Sequence, residues 1–183
     1  MAAYRELAER GFEGLRTREV AASVGVNIAT LHYYFPSKEA LIKGVVAHAM
    51  GQFRSTLASG GSPAALLRAH FEGIRRLSRE EPELFAVMGE LALRARRDPA
   101  IAAIVGETDA VWHSTLRGLI RRAKADGAID PHVDPSDAAA VIVETLKGVY
   151  LLPGAAAGMK QERENRALRQ LGRWLELSPK RRS

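Results

Sequence analysis

A chain of 183 residues suits one generous domain, or a small module joined to a larger one. Apolar residues make up 46% of it and cysteine is absent, so it can pack a core but has no disulfides, thiolate metal sites or cysteine nucleophiles. The formal charge of +6 divides into +2 for residues 1–59, −1 for 60–159 and +5 for 160–183, which places the basic excess at the C-terminal end and leaves any nucleic-acid reading to a motif.

The opening "MAAYRELAERGFEG" lacks the basic leader and apolar stretch of a signal peptide. The most apolar tract, "AAAVIVETLKGVYLLPGAAAG", is interrupted by Glu144, Lys147 and Pro153. It falls short of the roughly 18 uninterrupted apolar residues of a membrane span, so a soluble, cytoplasmic protein with no membrane partner is expected.

Helical periodicity dominates, and sustained period-2 alternation is absent. The fold expected is all-α, with about nine helices: an N-terminal helix-turn-helix module over residues 1–44 and a larger helical bundle over 45–183. A first helix covers Ala2–Arg10 and stops at Gly11. Thr17 is placed to cap a second, Arg18–Val24, which Gly25 ends. Asn27 caps a third, Ile28–Phe35, closed by Pro36, and Ser37 opens a fourth from Lys38 to Ala58. After the break "SGGSP", helices are expected over Pro63–Ser78, Glu81–Arg97, Pro99–Ala125, Pro135–Leu152 and Lys160–Leu177. Ser62, Asp98 and Asp134 each precede a proline, a good start signal.

The two short helices meet at a turn on Gly25 and Val26, where glycine suits a left-handed position. Val20, Val24, Val26 and Leu31 are expected to pack inside, and small Ala21 lets the helices cross closely. This is the pattern of a helix-turn-helix, whose second helix enters the major groove of double-stranded DNA. With Leu31 buried, Phe35 lies about 40° away, Ala29 and Tyr33 about 160° away, and Thr30 and His32 about 100° to either side. Tyr33, Tyr34 and His32 then face phosphates, while Ala29 and Thr30 approach base edges or thymine methyls. Lys38 opposes its helix dipole unless that N-terminus, with Ser37, cradles a phosphate.

The stretch Gly11–Ile42 resembles the DNA-binding module of the TetR family of bacterial transcriptional regulators. Gly11-Phe12, Thr17, Val20-Ala21, Gly25-Val26, Thr30-Leu31, Tyr34-Phe35, Lys38 and Leu41 stand in register with its pattern. The resemblance implies that Thr17 and Arg18 touch phosphate and at times a base. It puts Ile28, Ala29 and Thr30 at base-reading positions and Tyr33, Tyr34 and Lys38 at phosphate-contacting ones. His32 stands where the family often has Tyr. Ile28 and Ala29 cannot make bidentate base contacts, leaving Arg18 and Thr30 for direct readout. Family members usually carry a further turn of the first helix, often behind a basic arm, whereas this sequence starts inside that helix.

The remaining helices resemble the family's regulatory domain only in pattern. Ser136–Leu152 is apolar almost all round, through Val141 among others, and Leu168, Leu171, Trp174 and Leu175 form one stripe on the next helix. Two such helices pack with their symmetry mates into a homodimer interface, or form the centre of a monomeric bundle. The homodimer sets two recognition helices about one DNA turn apart on a palindromic operator. Phe71, Phe85, Met88, Leu91, Trp112, Leu116 and Tyr150 line an apolar cavity or simply fill the core, with His113 and Glu144 as polar anchors or surface groups. The resemblance implies a small apolar effector and, as the family's usual mode, repression. A DNA-binding protein of this fold acting structurally or through a protein partner is the alternative.

"DPHVDP" places Asp130, His132 and Asp134 alternately, which a cap role for Asp134 explains better than a metal. G-x-S-x-G, H-E-x-x-H and phosphate-cradling loops are absent, so neither an enzyme nor a cofactor is expected.

Overall fold

Nine α-helices and no strand make up the described residues, 2–56, 60–150 and 157–175, of the computed structural model. They are α1 (Ala2–Gly14), α2 (Thr17–Ser23), α3 (Ile28–Tyr34), α4 (Lys38–Ser55), α5 (Pro63–Glu80), α6 (Pro82–Ala95), α7 (Pro99–Ala125), α8 (Pro135–Tyr150) and α9 (Ala157–Trp174). None of the described helices is long and apolar enough to cross a membrane.

The start signals act as their chemistry requires. The Ser62 hydroxyl accepts from Ala65 N at 3.2 Å, and Asp98 Oδ1 from Ala100 N and Ile101 N at 3.1 and 3.3 Å. Asp134 Oδ1 accepts from Ser136 N and Asp137 N at 2.8 and 3.0 Å, which satisfies orphan donors of α8. Those bonds hold the Asp134 carboxyl below the usual carboxylate range.

Thr17 is not a cap. The backbone ladder of α2 starts one residue earlier, with Val20 N on Arg16 O at 3.0 Å, so Arg16 takes the capping position without a side-chain bond. α1 also runs past its expected end: Gly11 kinks it at φ 67°, ψ −177°, and one more turn reaches Gly14. The expected ends of α4, α8 and α9 at Ala58, Leu152 and Leu177 lie outside the described residues.

The chain forms two compact units interleaved along the sequence. One takes α1–α4, α6 and the first part of α7; the other takes most of α5, the rest of α7, α8 and α9. Leu7, Ile42, Leu84, Leu91 and Ile101 centre the first core, and Leu67, Ile74, Leu116, Ile120, Ile142 and Leu146 the second. Burying a side chain of this size contributes about 1.5–3 kcal/mol.

Candidate nucleic-acid interface

α2 and α3 meet through a turn closed by backbone bonds from Gly25 N to Ala22 O, 3.1 Å, and from Val26 N to Ala21 O, 3.0 Å. Gly25 has φ 70°, and no atom lies within 4 Å of where a Cβ would stand, so conformation rather than space demands glycine here. Ala21, Val20 and Leu31 are buried between the helices as expected, but Val24 and Val26 are exposed. Seven-residue helices bury only one narrow face each, and the turn carries both valines off it.

Asn27 caps α3: its Oδ1 accepts from Thr30 N at 2.7 Å and from Thr30 Oγ1 at 3.0 Å. The Thr30 hydroxyl proton is thus committed, and its oxygen lone pairs and methyl group remain. Ala29 and His32 are exposed, and Ile28 and Thr30 half-buried. Tyr33 and Tyr34 are 82% and 69% exposed, their rings edge to face at 5.2 Å. Two large aromatics on one seven-residue helix make an apolar surface with hydroxyls at its rim. On α2, Arg18 is exposed and Thr17 half-buried.

The module is pinned from behind. A Cβ on Gly44 of α4 would lie 3.0 Å from Phe35 Cε1, so the Phe35 ring lies against α4. Arg10 of α1 pairs with Glu19 of α2, and Ser37 caps α4 by accepting from Ala40 N at 3.1 Å. Lys38 Nζ donates to Phe12 O at 2.8 Å and stands 4.2 Å from the Phe12 ring centroid. Burial lowers its pKa, with Glu13 opposing and Arg16 and Arg94 reinforcing the shift. Glu90 and Arg94, one turn apart on α6, also grip this corner: Glu90 Oε1 accepts from Phe12 N at 3.1 Å, and the Arg94 guanidinium lies over the Phe12 ring at 4.5 Å. Sequence reasoning missed both; their i, i+4 spacing, which puts them on one helix face, was the available signal.

The expected pocket residues divide between the units. Phe85, Met88 and Leu91 are buried in the first, the Phe85 ring edge-on to Phe53 at 5.4 Å. Phe71 and Leu116 are buried in the second, with Trp112 and His113 half-buried there. Glu144 is exposed and paired with Lys147 at 3.1 Å, and the side chain of Tyr150 lies outside the described residues. The second unit's buried polar centre is instead His70, also missed, although it stands in the apolar stripe of Leu67, Phe71 and Ile74 on α5. Trp112 Nε1 donates to His70 Nε2 at 3.0 Å. An indole can only donate, so the imidazole is neutral with its proton on Nδ1, which donates to Thr56 Oγ1 at 2.7 Å. Burial at 1% exposure drives the His70 pKa down to about 4. Of the expected dimer residues, Leu171 and Leu175 are buried within the chain and Leu168 half-buried, while Val141 and Trp174 are 46% and 61% exposed.

Known proteins resemble this chain. The family profile "Bacterial regulatory proteins, tetR family" matches residues 1–45, and "BetI-type transcriptional repressor, C-terminal" matches 63–177. The nucleoid occlusion factor SlmA of Pasteurella multocida is 31% identical over 104 residues, 55% of this chain. The chain spans about half the length of that relative, 52%. The HTH-type transcriptional regulator UidR of Escherichia coli K12 is 24% identical over 80% of this chain and 76% of its own. A putative TetR-family regulator from Rhodococcus sp. superposes with a TM-score of 0.81 over 95% of this chain and 94% of its own at 22% identity, a likeness of fold. With its helix-turn-helix matched by one profile and its C-terminal helices by the other, the chain belongs to the TetR family of bacterial DNA-binding transcriptional regulators.

Proposed function

We propose that this protein is a homodimeric repressor that leaves a palindromic operator when a small apolar effector binds its C-terminal helices. The observation that carries the DNA-reading part is α3 itself, with Leu31 buried, Tyr33 and Tyr34 in solvent and small Ala29 and Thr30 beside them. On a duplex, the tyrosine hydroxyls and His32 donate to phosphates, as does Lys38 through the two donors not given to Phe12. Thr17 completes the backbone contacts, and Asn27 holds the first turn of α3 in register for them. Ile28, Ala29 and the Thr30 methyl meet thymine methyls, the Thr30 oxygen accepts from a base amino group, and Arg18 reaches a guanine edge.

Val141 on α8 and Trp174 on α9 are the exposed large apolar side chains of these two helices, and this reading sets them at the dimer seam. Leu168 is half-buried on α9, and Leu171 and Leu175 are buried within each protomer. The BetI-type profile over the C-terminal helices supports repression. An effector favouring splayed recognition helices weakens DNA binding by the same coupling, typically ~1–3 kcal/mol. Phe71, Trp112, His113 and Leu116, all in the second unit, are the side chains this reading assigns to the effector.

Selection of bound duplexes from a random pool, followed by a salt titration, tests the reading. The expected product is a palindrome whose half-sites lie about 34–36 Å apart, bound with a steep salt dependence. Salt-sensitive binding that enriches no sequence contradicts sequence-specific regulation. That outcome favours a second reading, an effector-independent architectural role, which the likeness to a nucleoid occlusion factor supports.

A further inference from the structure

Phe12 is held by its nitrogen, its oxygen and its ring, and α6 supplies much of the hold. The cause lies one residue earlier: Gly11, at φ 67° and ψ −177°, adopts a backbone conformation essentially restricted to glycine. The kink points Phe12 N–H at Glu90, whose Oε1 accepts it at 3.1 Å; a Cβ on Gly11 would stand 3.3 Å from that same oxygen. One turn further along α6, Arg94 lies over the Phe12 ring, pairs with Glu13 Oε1 at 2.5 Å and reaches Asp98 Oδ2, at the cap of α7, at 3.4 Å. Lys38 holds the remaining point, the Phe12 carbonyl.

This grip joins α6 to the segment leading directly into α2. Leu15 N returns to Phe12 O at 3.3 Å, and α2 begins two residues later. Neither Glu90 nor Arg94 belongs to α2 or α3, and their contacts fall on the joint between α1 and the reading head rather than on its surface. We propose that Glu90 and Arg94 are positioning residues for DNA reading, which through Phe12 and Glu13 fix the orientation of α2 and α3. The proposal rests on the DNA-binding reading above and deepens it by naming two residues outside α2 and α3 that hold them for that reading.

The test uses the full chain with duplexes enriched from the random pool, and compares Glu90→Ala, Glu90→Gln and Arg94→Lys with the wild type. Both Glu90 variants remove the same negative charge, but only Gln keeps an acceptor for Phe12 N–H. A difference between them therefore reads the hydrogen bond and not the field at the phosphates. Arg94→Lys keeps the charge and loses the planar stack on the ring. Glu90→Ala is expected to bind the enriched duplex about tenfold more weakly, with Glu90→Gln within about twofold of wild type and Arg94→Lys in between. Amide exchange in α2 and α3 is expected to quicken in Glu90→Ala while α8 stays unchanged.

Equal affinities for the two Glu90 variants, with unchanged exchange in α2 and α3, overturn the proposal. If Glu90→Ala fails to fold, Arg94→Lys decides: wild-type affinity and exchange overturn the proposal, and weaker binding with faster exchange supports it. If the wild type itself enriches no duplex, the DNA-reading premise fails and the positioning role falls with it, while exchange still reports whether α6 holds the module.

Discussion

Tyr33 and Tyr34 stand in water with nothing inside the fold to explain them. Removing their hydroxyls therefore leaves stability within about 0.5 kcal/mol. Tyr33→Phe and Tyr34→Phe are each expected to weaken duplex binding several-fold and to about the same extent on every sequence, in a filter-binding or anisotropy titration, because phosphate contacts carry no sequence information. His70 is the opposite case, wholly interior and neutral. Its folded pKa, about 4, lies below the unfolded value of 6.5, so on acidification the unfolded chain takes up the proton first. Its contribution to stability is whole above about pH 6.5, shrinks as pH falls, and reaches a full loss of about 3 kcal/mol below pH 4. Urea unfolding from pH 7 to 4 should show that slope in the wild type and lack it in His70→Gln. Sequence and structure part company at this scale for a plain reason. Asn27 and Asp134 cap through atoms two or three residues away, so their roles are visible locally. His70 depends on Thr56, 14 residues off, and Trp112, 42 residues off; without that pairing, His113 was as good a candidate.

Among elements, short-range chemistry again sets what can be read ahead. Prolines behind polar caps mark α5, α7 and α8 because both the signal and its effect lie within one turn. The kink in α1 is different: Gly11 reads as a helix end, and the further turn that follows it joins a grip involving Glu90 and Lys38, distant in sequence. Two substitutions separate local from tertiary demands. Asn27→Ala removes the bonds that start α3 and is expected to cost about 0.5–2 kcal/mol. Gly73→Ala meets no conformational barrier in α5, yet its Cβ would stand 2.5 Å from the Thr56 Cβ and 3.0 Å from the Thr56 Cα. The backbone there has to move, and a loss of about 1–3 kcal/mol is expected in thermal or denaturant unfolding.

For the molecule as a whole, chain order and compactness diverge. α6 follows α5 in sequence yet belongs with the N-terminal helices, because its inward residues Leu84, Val87 and Leu91 belong to their core. No periodicity within α6 states which neighbour it will choose. The proposed assembly is testable at this level. Val141→Glu and Trp174→Glu each place a charge on the exposed apolar surface of α8 or α9, and are expected to shift sedimentation from dimer to monomer. Operator binding should then fall by orders of magnitude, since a palindrome rewards only paired reading heads, whereas helicity is retained because neither side chain is buried. The two tryptophans add a consequence of their own. Trp112 gives its indole N–H to an imidazole inside the protein, while Trp174 lies in solvent on α9. The chain thus carries two optical reporters tuned to different events. Emission from Trp112 dims in acid as the neighbouring ring becomes a cation that quenches excited indole, and emission from Trp174 moves to the blue when a partner covers it. One unlabelled sample followed in a fluorimeter can record protonation and assembly separately, by intensity and by colour.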